Sequence, residues 1–408
     1  MVARKGLAVL LGLLLLLGLV LAACGGGGSS SAGSTTEATT EAAETEGGAE
    51  AEGEGETKPV SAETGQLAVG SLNFDMTKYC GEKPTRVGLL DGFGGNTWRV
   101  QVRALNENTL HECPNVTEIK YYDANLDPEK YNSTLNTWVA EGVNVIEAYP
   151  DFGAASIPAF RAAQKKGAFV VADNSLPAGT NIPEDLTAVA IPDYEKGARE
   201  WVEFLDKATK GTAHIVLIGG PAGVPVDQIY LEDMQKAIEE TGADVEFLDD
   251  EPVVGNWEAA KTQQATAAVI SKYPDLNGIV STYTALVPSM TRAFEAANAK
   301  LPTIVGQGIS NEVTCDLRKI REKEDPNFNM MSLDSTGNLA PLALAEGMAA
   351  YQEIEAPELG PTDGPTVANL ATYIDTLEGN IPKCYPELPP GADLSMALSP
   401  EEVEALGE

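Results

Sequence analysis

From residue 86 to about 353, short β-branched runs alternate with longer stretches of helical period, and nothing else in the chain limits the fold so tightly. "RVGLLD" (86–91) reads as a buried strand and "TWRVQVRALNENTLHE" (97–112) as a helix. Strands over 117–123, 143–150, 168–174 and 187–193 follow, with helices over 129–142 and 154–166 between them. The alternation continues with helices over 194–209, 227–241, 256–272, 285–299, 311–322 and 337–353. Strands over 213–220, 245–250, 277–283, 303–308 and 328–334 separate these helices. Continuous apolar strands joined by helices make βαβ units and parallel sheet, because such strands are buried on both faces. Roughly ten strands are too many for one comfortable open sheet, so the expected α/β fold is two Rossmann-like, doubly wound parallel-sheet lobes. Ligands of such sheets sit beyond the carboxyl ends of the strands, which makes the residues after each strand the candidates.

The first 65 residues are built differently. Arg4 and Lys5 precede an apolar run over 6–23, and "LAAC" (21–24) ends it. Charge, then apolar core, then small residues is the layout of a secretory signal. The run is just long enough to span a bilayer. Its ending, however, resembles the lipobox of bacterial lipoproteins, which implies cleavage after residue 23 and a diacylglycerol on Cys24. Two acyl chains anchor stably where one does not. Residues 24–65 have almost no large apolar side chain, and 34–63 carry nine Glu against one Lys. Such a segment is expected to be a disordered acidic tether.

The whole chain has a net charge of −34; removing the signal (+2) and the tether (−8) leaves −28 for residues 64–408. So acidic a body repels phosphate backbones and argues against nucleic acid as a partner. Besides Cys24 the chain has Cys80, Cys113, Cys315 and Cys384, an even number in an exported protein, which favours two disulfides. Cys80 precedes the first strand and Cys113 follows the first helix, positions at the same pole of a βα unit. That pairs Cys80 with Cys113 and leaves Cys315 to staple the tail through Cys384.

The loop "DGFGGNTWR" (91–99) invites a phosphate-binding reading, but Thr97 stands where a dinucleotide fingerprint needs its third glycine, and no Gly-Lys-Ser/Thr follows. It presents Phe93, Asn96 and Trp98 at a helix N-terminus, where Asn96 also reads as a plain N-cap and Trp98 as core. Other strand ends offer Tyr149, Asp151 and Phe152, then Asp173 and Asn174. Gln228, Trp257, Tyr283, Gln307 and Asp334 complete the set. Aromatic rings with planar amides and carboxylates suit a sugar, whose C–H faces stack on rings while adjacent hydroxyls meet two polar atoms in one plane. Enzyme chemistry has little support. Only His111 and His214 are present, G-x-S-x-G and any Cys/His cluster are missing, and Asp249 and Asp250 would point to opposite faces of a strand. Neither metal nor cofactor is expected.

With these residues in view, the stretch from about 84 to 355 resembles a type I periplasmic-binding protein of the ribose/galactose-binding class, the receptor subunit of ABC sugar importers. The resemblance rests on "RVGLLDGFGGNTWRVQVRALNE", "VNVIEAYPDFGAASIPAFRAAQKKGAFVVADN", "DYEKGAREWVEFL" and "TIVGQGISNE". It implies an N-terminal lobe of 66–190 plus 336–365, a C-terminal lobe of 191–335, and a segment over 366–408 packing on both. Crossovers are implied near 191, 335 and 365. It further implies a monomer that closes on its solute about a hinge and delivers it to a permease. The family's stacking aromatics map to Phe93, Trp98 and Trp257, and its hydroxyl-binding positions to Asn96, Asp173, Tyr283, Gln307 and Asp334. Ribose binders follow their carboxylate with an arginine where this chain has Asn174, carry an aspartate in place of Gln307, and have a second arginine near Gln228. The departures argue against ribose itself, and a receptor for a nucleoside or another polar metabolite, for import or sensing, remains the alternative.

Overall fold

A computed structural model describes residues 74–334 and 336–406. The expected signal (1–23), the lipidation site Cys24 and the tether (24–65) lie outside the described residues. The body opens with β1 (Thr85–Asp91), α1 (Thr97–His111), β2 (Val116–Asp123), α2 (Pro128–Ala140) and β3 (Val145–Ala148). Next come α3 (Ile157–Lys165), β4 (Phe169–Asp173) and β5 (Ala188–Pro192). A second series runs α4 (Tyr194–Ala208), β6 (Ala213–Gly219), α5 (Pro225–Thr241), β7 (Val245–Phe247), β8 (Val253–Val254) and α6 (Ala259–Lys272). It ends with β9 (Gly278–Ser281), α7 (Val287–Ala296), β10 (Thr303–Gln307), α8 (Asn311–Lys323) and β11 (Met330–Asp334). After these lie α9 (Leu339–Gln352), β12 (Thr366–Ala368), β13 (Ala371–Asp375) and α10 (Pro400–Ala405).

Two sheets result, with strand orders β12-β5-β4-β3-β1-β2 and β13-β11-β10-β9-β6-β7. The first is parallel throughout; in the second only β13 runs antiparallel, against β11. Helices cover both faces, so each lobe is doubly wound, as the alternation predicts. Capping fixes where the helices start: Asn96, Asp127, Asp193 and Ser310 each accept a first-turn N–H, which satisfies a donor that has no intrahelical partner. Gly242, at φ 68°, ends α5 in the left-handed conformation that favours glycine.

The chain passes between sheets at three places. It leaves β5 for α4 and leaves β11 for α9, which packs on β3, β4 and β5. The third passage was expected near 365, but β12 keeps the chain in the first sheet to Ala368, and it crosses between β12 and β13. Neither strand is a continuous apolar run, which is why the sequence does not announce them. Asp249 and Asp250 also differ from expectation: β7 stops at Phe247, and Asp249 pairs with Lys272 at 2.8 Å. Both disulfides form as expected, Cys80–Cys113 and Cys315–Cys384. No helix among the described residues is long and apolar enough to cross a membrane.

Helix α9 is apolar nearly all round because the first sheet and the loop after it enclose it. Its one acid, Glu346, accepts a 2.5 Å hydrogen bond from Thr366 Oγ1 and stands on the wall of a cavity of about 850 Å³. Burial pushes its carboxyl up to about 7. A carboxyl raised in the folded state favours folding below its unfolded value and loses that advantage as pH rises through the folded value. Glu346→Gln, which keeps the bond to Thr366, is therefore expected to raise stability by about 2–3 kcal/mol above pH 7. The gain should disappear near pH 4.5, and urea unfolding across that range checks it.

Candidate functional site

The carboxyl ends of both sheets face a common cleft. From the first lobe, the start of α1 presents Asn96, Trp98 and Arg99, and the residue after β3 presents Tyr149. From the second come Val226, Trp257, Thr282, Tyr283, Gln307 and Gly308, with Thr336 from the segment that crosses between lobes. About 410 Å³ between them is free of protein atoms, but the part wide enough for the centre of a water molecule is only about 30 Å³. The rings nearly close the cleft on themselves, and a ligand of ordinary size enters only if the walls part.

Arg99 organises the first-lobe wall. Its Nη1 donates to Asp91 and its Nη2 to Asp151, each at 2.8 Å, and its guanidinium carbon lies 3.3 Å from the centre of the Tyr149 ring. Asp151 also accepts the Gly92 N–H at 3.1 Å. All three charges are buried. Burial pushes the Asp151 carboxyl up to about 7 against the pull of Arg99. Deeper still, burial and a hydrogen bond to Asp173 hold Glu147 far above the usual carboxylate range. Trp98 meets Tyr149 edge to face at 6.0 Å.

The second-lobe wall is a relay. Asp227 accepts the Gly220 N–H at 2.7 Å and the Thr282 hydroxyl at 2.7 Å, and Thr282 Oγ1 accepts Trp257 Nε1–H at 3.1 Å. Burial lifts Asp227 to about 6. Trp257 has φ 51° and Asn256 before it φ 56°, two non-glycine residues in the left-handed region. Such strain persists only where the surroundings over-determine it, and here the relay holds the ring. Tyr230 Oη donates to Gln307 Oε1 at 2.6 Å, which leaves the Gln307 amide NH₂ for the cleft. Across the cleft, Thr97 Oγ1 and Tyr283 Oη share a 3.0 Å hydrogen bond.

Of the residues singled out from sequence, Asn96, Trp98, Trp257, Tyr283 and Gln307 stand together on the wall. Phe93 does not line the cleft, though its ring comes within 6.4 Å of that of Trp257 on the other lobe. Asp151 is engaged by Arg99. Asp173 and Asn174 are folded back: Asn174, at φ 59°, donates to Asp173 at 2.6 Å and to the Thr336 carbonyl at 3.1 Å. Asp334 accepts the Thr336 N–H and hydroxyl and, at 3.0 Å, the Ser395 hydroxyl. Gln228 is not at the cleft at all. Asp227 takes the inward position of α5, so the next residue turns to solvent, where Gln228 donates to Glu232. Thr282, Thr336 and Asp227 had no sequence signal beyond their place after strands.

Two doubly wound lobes thus share an aromatic-walled cleft at their strand ends. The chain belongs to the periplasmic binding protein domain family, whose model matches residues 87–322. No curated protein matches it. Among solved structures it is similar to GanP, a glucose-galactose binding protein from Geobacillus stearothermophilus, at 14% identity and TM-score 0.58 over 74% of this chain and 100% of that one. It is also similar to an ABC transporter periplasmic solute-binding protein from Actinobacillus succinogenes with bound D-allose, at 17% identity and TM-score 0.54 over 71% and 96%. A third is a 5-methylthioribose transporter solute-binding protein from Thermotoga lettingae, at 14% identity and TM-score 0.57 over 71% and 86%. At these identities the likeness is one of fold.

Proposed function

We propose that the protein captures an uncharged sugar by closing its lobes and hands it to an ABC transporter permease, held at the outer face of the membrane through a lipid on Cys24. The observation that carries the ligand class is the wall itself: aromatic rings from both lobes, Trp98 and Tyr149 against Trp257 and Tyr283, with the Asn96 and Gln307 amides among them. Rings stack on the apolar faces of a sugar, and amides and hydroxyls meet its rim. Arg99 is the one charged residue on the wall, and Asp91 and Asp151 already neutralise it, which favours an uncharged solute. The sugar-binding proteins of the same fold named above agree with this reading, and the lipobox-like "LAAC" with the anchor.

Calorimetric titration against pentoses, hexoses, polyols and nucleosides tests it. One monosaccharide is expected to bind at micromolar concentration or tighter. Trp98→Ala and Trp257→Ala should each weaken it about 30-fold, the loss of about 2 kcal/mol typical of a buried aromatic anchor. A nucleoside signal with silence from every sugar would replace the sugar with its runner-up. Silence from the whole panel would overturn the reading.

A further inference from the structure

The chain after the second sheet is tied to both lobes, and unequally. On the second lobe, Cys384 is bonded to Cys315 of α8. Asn311 Nδ2 donates to the carbonyls of Tyr385 and Leu388 at 2.7 and 3.1 Å, and its Oδ1 accepts the Tyr385 N–H at 2.9 Å. Backbone bonds follow, from Asn311 to Ala392, Glu312 to Pro390 and Leu394 to Ile309. On the first lobe the ties are side chains of α1 and of Asn338 at the start of α9, whose Nδ2 donates to the Ser395 carbonyl at 3.0 Å. Gln101 is 4% exposed and uses both ends of its amide, donating to the Gly391 carbonyl and accepting the Asp393 N–H, each at 2.9 Å. Asn108 donates to Glu402 at 2.8 Å. Trp98, Val102 and Leu105 of α1 share one apolar cluster with Leu394, Leu398 and Val403 of the tail.

We infer that residues 384–406 are a latch, carried by the second lobe, which docks on α1 when the lobes close and biases the unliganded protein toward closure. The inference rests on the hinge closure proposed above, though not on which solute is bound. A disulfide and a backbone ladder hold the strap to α8, whereas side-chain bonds and apolar packing, with no covalent or backbone link, hold it to α1. Rotation about the three passages between sheets therefore breaks the α1 seam first. That seam is continuous with the binding cleft. A Cβ added at Gly391 would lie 2.9 Å from Thr97 Cγ2, and Thr97 makes the hydrogen bond to Tyr283 that spans the lobes. The strap and the solute thus stabilise the same closed arrangement, and each raises the other's effective affinity.

The test uses the full chain without ligand, with fluorophores on non-natural residues at exposed Lys130 and Lys261, one on each lobe, read by single-molecule energy transfer. The wild type is expected to show mainly the shorter distance. Gln101→Ala, which removes both of its hydrogen bonds to the strap, should shift the population about tenfold toward a longer one. Asn108→Ala, on the surface and without risk to folding, should give a smaller shift in the same direction. Coincident distributions for the wild type and both variants overturn the latch, as does a wild type already at the longer distance. Neither result touches the sugar reading, which fails only in the titration.

Discussion

Replacing Arg99 with methionine is expected to lower the unfolding free energy by about 3–5 kcal/mol, because it leaves two carboxylates buried without their counter-charge. Arg99 is 3% exposed and bonds Asp91 and Asp151 at 2.8 Å on either side of its fork. Methionine replaces the length of the side chain but none of its donors. The acids then escape the penalty only by taking up protons, and the Asp151 carboxyl already stands at about 7 with the arginine present. Without it, both carboxyls rise further. A raised folded-state value favours folding at low pH and withdraws that support as pH rises through it, so the deficit should be small near pH 5 and largest above pH 8. Urea unfolding at the two pH values checks this. The triple variant in which Asp91 and Asp151 also become asparagine should recover much of the loss, since a neutral replacement of a whole buried ion cluster is often tolerated where a broken one is not. Equal deficits at both pH values would show that packing, not charge, is what Arg99 supplies.

The same cluster shows how far sequence could go. The strands were legible because a parallel strand buried on both faces leaves an unbroken apolar run, and β1, β6 and β10 are such runs. The Asn96 cap was legible because capping is local. Which strand-end residues face the cleft was not, because that depends on partners far away in the chain. Asp173 has the right chemistry at the right place, yet Glu147 and Asn174 hold it inside. Asp334 is held by Thr336 and by Ser395, a residue 61 places on. The choice between Asp227 and Gln228 is one step of 100° around α5, finer than hydrophobic periodicity resolves. Arg99 stood in plain view on the first turn of α1, but its role exists only once folding brings β1 and β3 side by side. The tail hid its contribution for a simpler reason: β12, Thr-Val-Ala, and β13, Ala-Thr-Tyr-Ile-Asp, are not the unbroken apolar runs that mark the other strands.

Gly220→Ala should cost the protein its ligand before it costs the fold. A Cβ at position 220 would lie 2.6 Å from two atoms of the Trp257 ring, closer than any such contact tolerates. The ring cannot slide aside within its plane without breaking the bond from Nε1 to Thr282, and with it the relay to Asp227. Phe93 of the first lobe stands close by, its ring 6.4 Å from that of Trp257. The ring lines the cleft, and a shift in that direction is the expected one; only about 30 Å³ there is wide enough for the centre of a water molecule. Trp257 would then occupy the space the solute needs. Its left-handed backbone, sustained by the relay, would also lose its support and relax. Affinity for the sugar found by titration should fall by 10–100-fold, the range of a lost aromatic anchor, while overpacking lowers stability by about 1–3 kcal/mol. Gly364→Ala is the control, since nothing lies within 4 Å of a Cβ there and its backbone is ordinary. Unchanged affinity in Gly220→Ala, with the expected drop in stability, would mean that Trp257 braces the second lobe without touching the solute. The polar relay beneath it would then be part of the lobe's core, and the first-lobe wall of Trp98, Tyr149 and Arg99 would have to supply the stacking alone.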